Sequence, residues 1–185
     1  GRTARGAGGK RYAAWLRRGY GKRTGIDGAG EVAGVVNDPA ITPWRGIDLA
    51  NGSFGQGVAV TPIQLATAYA ALMNGGTEIH PHVVKGIGNT DVPIVPGQQL
   101  ISPSLSATLV KMMQHVIAIV PFYHDRTIVP GYDVGGKTGT AQIWDPKANH
   151  GRGAWKGNLC NYPFIGYLAR QTAIPDLVGA GQAGA

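Results

Sequence analysis

Both ends of one helix are written into this chain. Thr61 is placed to cap, Pro62 suits the first helical position, and Gln64 completes a capping box with Thr61. Gly75 and Gly76 stop the helix in the manner of a left-handed cap. Between them Ile63, Ala66, Ala70 and Met73 fall on one face with Leu65, Tyr69 and Leu72 beside it, which predicts a buried helix. A second helix opens at Ser102-Pro103, and Leu105, Leu109, Met112, Val116 and Ile119 recur at helical spacing until Pro121 ends it. That stripe is expected in the core.

The rest of the chain is punctuated by glycine and proline. Residues 1–9 read as a flexible lead, and a short helix is expected from Lys10 to Arg18, stopped by Gly19 and Gly21. Thr24 to Gly34 is turn-rich, and Asn37 to Asp48 is irregular around Pro39 and Pro43. Thr77 to Ile87 is expected to hold an edge strand because of Pro81, with His80 and His82 on one face. A third metal ligand at readable spacing is missing, so no metal is assigned. Asn89 to Gln99 reads as loop, and Phe122 to Arg126 as a crossing into an extended segment over 127–134. Tyr162 to Ala169 is the last convincing strand, expected to pair in a hairpin with Thr138–Ile143. Asp176-Leu177-Val178 begins another candidate strand, and residues 179–185 read as a disordered tail.

The net charge of +7 is a property of one segment. Eight of the 17 basic residues lie between Arg2 and Arg23, and from residue 24 onward 9 basic residues face 10 acidic ones. One reading of function is therefore a non-catalytic module that binds an anionic polymer through Arg2–Arg23; a nucleic-acid partner is not expected of the rest. Cys160 is alone, so no intrachain disulfide is possible. Apolar runs such as Val116 to Val120 are too short to span a bilayer.

The chemistry concentrates in Gly135-Gly136-Lys137-Thr138-Gly139-Thr140-Ala141-Gln142. As a strand, alternation puts Lys137 and Gly139 on one face and Thr138 and Thr140 on the other. Along a cleft, Gly139 would let another molecule lie close to the backbone. The threonine hydroxyls and backbone N–H groups would grip a carboxylate or an oxyanion, with Lys137 supplying positive charge. The alternative reading is a phosphate loop, since Gly131, Gly136, Lys137 and Thr138 satisfy G-x-x-x-x-G-K-[ST]. That loop must open a helix, and Gly139, Thr140, Ile143 and Pro146 make a poor one. Ser53 has neither a G-x-S-x-G elbow nor a lysine three residues on, and reads as structural.

Lys137-Thr138-Gly139-Thr140 resembles the K-T-G element of penicillin-binding proteins. Ser53–Gly57, Val60–Leu65 and Tyr69–Gly76 are similar to the S-F-G-Q-G, V-T-P-x-Q-L and N-G-G stretches of the class B enzymes, including those of septal division. Ile101-Ser102-Pro103, Val129–Tyr132, Phe164–Tyr167 and Thr24–Asp27 also resemble that family, so the likeness runs over about residues 10–178.

The resemblance implies an α+β chain, a partial serine-transpeptidase/β-lactamase-like fold in which an antiparallel sheet packs against helices, incomplete at both ends. It implies a peptidoglycan D,D-transpeptidase that crosslinks stem peptides ending in D-Ala-D-Ala through an acyl-serine, without a cofactor, inhibited by β-lactams. Its place would be the outer side of the bacterial inner membrane, anchored by a segment outside this chain, among other cell-wall synthesis proteins. By the same resemblance Lys137 keeps the site positive, Thr138 and Thr140 hold the terminal carboxylate, Gly139 leaves room for it, and the Thr140 N–H supplies half of an oxyanion hole.

The departures are as informative. No S-x-x-K and no S-x-N occurs in the 185 residues. In the family both precede the region matching Lys10. The nucleophile, its lysine base and the S-x-N serine are therefore expected in sequence upstream, and the chain by itself is expected to be inactive. Open sheet edges lead to an expectation of aggregation-prone or partly ordered behaviour.

Overall fold

A computed structural model describes residues 2–170 of the chain. The candidate strand at Asp176–Val178 and the tail at 179–185 lie outside the described residues. Packing divides the chain into two compact units that meet in sequence between Leu109 and Val110.

The first unit opens on helix α1, Arg2–Arg17. It begins eight residues before the expected start at Lys10, so residues 2–9 are helical and not a loose lead. The reason lies in packing. A side chain at Gly8 would lie 3.2 Å from the Trp44 ring, so the glycine that weakens the helix also lets Trp44 seat against it. Gly19 and Gly21, at φ of 81° and 76°, follow the helix as expected.

Helix α2, Gly46–Ser53, was not legible as a helix. Its start is held by Asp48, whose carboxylate accepts the Arg45 backbone N–H at 2.8 Å and its guanidinium at 3.0 and 3.2 Å. Gly52 sits under Trp15, whose ring would be 2.9 Å from any added Cβ, and Trp15 meets Trp44 at 5.4 Å between centroids. Two tryptophans thus fasten α1 to α2 through glycines.

A short antiparallel pair, β1 (Val35–Val36) with β2 (Val58–Ala59), leads into helix α3, Pro62–Met73. The capping box forms as the sequence predicts, with the Thr61 hydroxyl accepting the Gln64 N–H and the Gln64 side chain accepting the Thr61 N–H. Gly75 and Gly76 stand at φ of 88° and 90°. The buried face is rotated from the expected one: Gln64, Ala68, Tyr69, Ala71 and Met73 are inside, and Ala66 is exposed. Gln64 causes the rotation. It is 0% exposed, and its amide donates to the carbonyls of Lys22 and Ala33, tying α3 to the loop after α1.

No strand runs through His80 and His82. Ladder pairing stops at the Thr77–Gln99 bridge, as Pro81 dictates, and resumes only in the hairpin of β3 (Gly86–Ile87) and β4 (Thr90–Asp91). Among the described residues no group of three or more His, Cys, Asp or Glu side chains gathers to hold a metal ion.

Helix α4, Pro103–Ile119, starts with Ser102 accepting the Leu105 N–H at 3.2 Å. The expected core stripe does not hold: Leu105, Met112 and Ile119 are exposed, and the buried positions are Ser106 and Ile117. Pro121 ends α4 and also begins helix α5, Pro121–Thr127, where the sequence had suggested only a crossing into the extended segment at 127–134. The same ring that breaks one helix is preorganised for the first turn of the next. The two are bent by 100°, and among the described residues no single helix is long and apolar enough to cross a membrane.

The second unit holds the remainder of α4, α5 and four strands, β5 (Tyr132–Thr138), β6 (Ala141–Asp145), β7 (Ala154–Asn161) and β8 (Phe164–Arg170). The expected hairpin of 162–169 with 138–143 is shifted: β8 pairs with β5, and β6 pairs with β7. The two pairs share one register. Thr138 faces Phe164 and Ala141 faces Asn161, so each strand advances three residues between them. They form one long antiparallel hairpin interrupted opposite Pro163, which has no N–H to donate. Helices cover it in part, with the Tyr167 hydroxyl donating to the Val110 carbonyl at 3.2 Å. The chain is therefore α+β, with antiparallel strands against helices.

Candidate functional site: the Lys137–Thr140 strand

Glycine brings this strand close to its partner. A Cβ at Gly135 would collide with the Tyr167 ring, and one at Gly136 with Phe164, so the buried glycine pair is covered by one aromatic ring on each face. At Gly139 the near neighbour is Pro163, 3.1 Å from the position a Cβ would take, and the Gly139 N–H donates to the Pro163 carbonyl at 2.8 Å. The sequence had suggested that Gly139 makes room for another molecule; the space beside it is bounded by Pro163.

The ladder fixes the directions of the backbone groups. Gly139 points its N–H at Pro163, just before β8, so antiparallel alternation turns the N–H groups of Thr138 and Thr140 toward the opposite edge. Lys137 and Thr138 project to opposite faces, as expected from a period of two. The exposed Lys137 ammonium folds back and donates to the Thr138 carbonyl at 2.9 Å.

Thr138 is half-buried, and its hydroxyl lies 2.9 Å from the hydroxyl of Tyr123. Tyr123 also approaches Phe164 at 6.4 Å between ring centroids, which places Thr138 and Phe164 on one face. Sequence reasoning missed Tyr123 because it read Phe122–Arg126 as a crossing and not as a helix. The available signal was Pro121, which marks a helix start as well as a stop. Further along the same face the register sets Tyr162 opposite Thr140 and Cys160 opposite Gln142. A hydrogen bond between Tyr162 and Cys160 raises the Tyr162 phenol above its ordinary value.

Two sequence alternatives are settled by this geometry. Lys137 and Thr138 belong to a strand, with no helix following, so Gly131–Thr138 lacks the N-terminal cradle of a phosphate loop. Ser53 ends α2 with its hydroxyl donating to the Ala50 carbonyl at 2.6 Å, a structural role.

Residues 2–174 match the family described as the penicillin binding protein transpeptidase domain. The chain belongs to that family. It is of the class B type, with 34% identity over 148 residues to the penicillin-binding protein PbpB of Mycobacterium tuberculosis, covering 74% of this chain and 22% of that protein. The peptidoglycan D,D-transpeptidase FtsI of Escherichia coli is 34% identical over 137 residues, again 74% of this chain and 22% of the relative. Among solved structures, penicillin-binding protein 3 of M. tuberculosis complexed with ampicillin aligns with a TM-score of 0.71 and 30% identity over 84% of this chain and 35% of that one. The chain thus spans about a fifth of the length of the curated relatives it matches.

Membership accounts for the shared layout, in which the K-T-G run stands on a strand beside helices. It leaves the role of each side chain to be argued from this chain's own geometry.

Proposed function

We propose that this chain supplies the carboxylate-binding wall of a peptidoglycan D,D-transpeptidase, acting on stem peptides that end in D-Ala-D-Ala. The observation that carries the reading is the hydrogen bond between the Thr138 and Tyr123 hydroxyls. When Tyr123 donates, the Thr138 oxygen is its acceptor and the Thr138 proton is left to donate outward. A carboxylate at the edge of β5 then meets the Thr138 and Thr140 hydroxyls, and a hydrogen bond to a charged acceptor contributes about 1.5–3 kcal/mol. The Thr140 N–H supplies one donor for a developing oxyanion, an interaction whose removal typically costs on the order of 2.7–4 kcal/mol of barrier. Lys137 keeps the local potential positive.

Acylation needs a serine beside a lysine, and no S-x-x-K occurs in this sequence. In this reading the nucleophile, its base and the S-x-N serine come from sequence outside the chain, and residues 132–170 contribute binding and polarisation. β-Lactams bind the same wall through their carboxylate, as the ampicillin complex of the M. tuberculosis relative supports. The setting is the outer side of the bacterial inner membrane, with an anchor outside the described residues, and the likeness to the peptidoglycan D,D-transpeptidase FtsI supports a role in cell-wall synthesis.

Titration of the chain with a diacetyl-lysyl-D-Ala-D-Ala peptide, followed by amide NMR, tests this. Shifts at Thr138, Gly139 and Thr140 are expected, and the peptide with an amidated C-terminus should leave them in place. Equal shifts with both peptides, or none with either, would contradict the proposal.

A further inference from the structure

The far end of the long hairpin carries a feature that carboxylate binding does not use. Trp144 faces Trp155 across the ladder, and the two rings meet edge to face at 5.1 Å between centroids. Such a pair stabilises a hairpin by itself. Here, however, the indoles remain 48% and 49% exposed, and Tyr162 on the same strip is 71% exposed. One side of Trp144 rests on Gly153, where a Cβ would collide with the ring, so its outward surface is held in a fixed orientation.

Position decides what this strip serves. Thr138, Thr140, Gln142 and Trp144 alternate onto one face, and their ladder partners Phe164, Tyr162, Cys160 and Trp155 share it. The three extra residues between Gln142 and Trp144 are on β7, so β6 keeps its alternation through the bulge. Trp144 stands four residues from Thr140, roughly 13 Å along an extended strand. A peptide of about four residues covers that distance. A chain gripped by its terminal carboxylate at Thr138 and Thr140 and laid along β6 therefore brings its other end to the indoles.

We infer that Trp144 and Trp155 form a stacking platform for the glycan strand that carries the stem peptide. The inference rests on the proposed D-Ala-D-Ala reading for its direction along β6. Sugar rings present faces of polarised C–H groups, which suit the electron-rich face of indole and a rigid aromatic pair. Lys147, Arg152 and Lys156 are exposed around the same turn against the single carboxylate of Asp145, which lies 3.9 Å from Lys156. That charge favours a glycan bearing lactyl or peptide carboxylates over a neutral one.

The test uses the whole chain and peptide-free glycan strands of alternating N-acetylglucosamine and N-acetylmuramic acid. This probe has no D-Ala-D-Ala, so its binding does not depend on the threonines, and the sugar-free peptide reports on them separately. Saturable binding that shifts the Trp144 and Trp155 indole N–H signals is expected, with Trp15 and Trp44 unmoved. The double variant W144I/W155I, which keeps β-branched residues in the ladder, should bind at least tenfold more weakly. The wild-type indole shifts decide the question even if that variant does not fold. Absence of glycan binding, binding that leaves both indoles unmoved, or a folded W144I/W155I that binds as well as wild type would each overturn the inference. So would shifts of the same indoles by phosphatidylglycerol vesicles without any by glycan, which would make the strip a membrane contact.

Discussion

Two carboxylates, the exposed Asp27 and the half-buried Glu31, hold loops by accepting backbone N–H groups. Asp27 accepts from Val83 at 2.6 Å and Val84 at 2.8 Å, and these bonds lower its pKa below the ordinary carboxylate value. Glu31 accepts from the Thr24 hydroxyl, first in effect, and from the Thr24 and Gly25 N–H groups, and is lowered likewise. A lowered folded pKa means stability that is present above the unfolded value and lost as pH falls through the folded one. The first unit is therefore expected to lose stability on acidification below about pH 4.5, the ordinary glutamate value. Thermal melts between pH 6 and pH 3 check this: Asp27→Asn and Glu31→Gln should each flatten the acid slope, and unchanged slopes would contradict it. The role of Asp27 was not legible beforehand, because its partners lie more than fifty residues away.

Between elements, a single hydroxyl joins α3 to α4. Ser106 is 0% exposed, donates to the Leu72 carbonyl at 2.7 Å and accepts the Gly75 N–H at 3.0 Å. It satisfies the end of α3 from a neighbouring helix, where the Asn74-Gly75-Gly76 turn leaves backbone groups unpaired. Ser106→Ala orphans both groups and is expected to cost about 1–3 kcal/mol, read as a lower urea midpoint with unchanged slope. Local chemistry made α3 legible: the Thr61 cap, Gln64 and the paired glycines all fall as the sequence predicts. It could not reveal α1 before Lys10 or α2, because those helices rest on Trp15 and Trp44 seated against Gly52 and Gly8. Nor could it fix strand pairing, since Pro163 interrupts the ladder at the point where the sequence suggested the hairpin.

At the scale of the molecule, the second unit is a long two-strand ladder with the proposed binding groups along one face, and the K-T-G run marks its middle. The family and the strand were readable from that run and its neighbours. Tyr123 and the indole face were not, because they reach it only through the turn at Pro121 and the register of β6 with β7. The central claim is that Tyr132–Arg170 is a working wall of a class B transpeptidase that needs a serine from elsewhere. Exchange of this segment into the matching position of M. tuberculosis PbpB, followed by fluorescent-penicillin labelling, tests it most directly. A folded chimera should be acylated, its T138V/T140V variant should lose most labelling, and the present chain alone should take none. A folded chimera that stays unlabelled, or stoichiometric labelling of the present chain, would contradict the account.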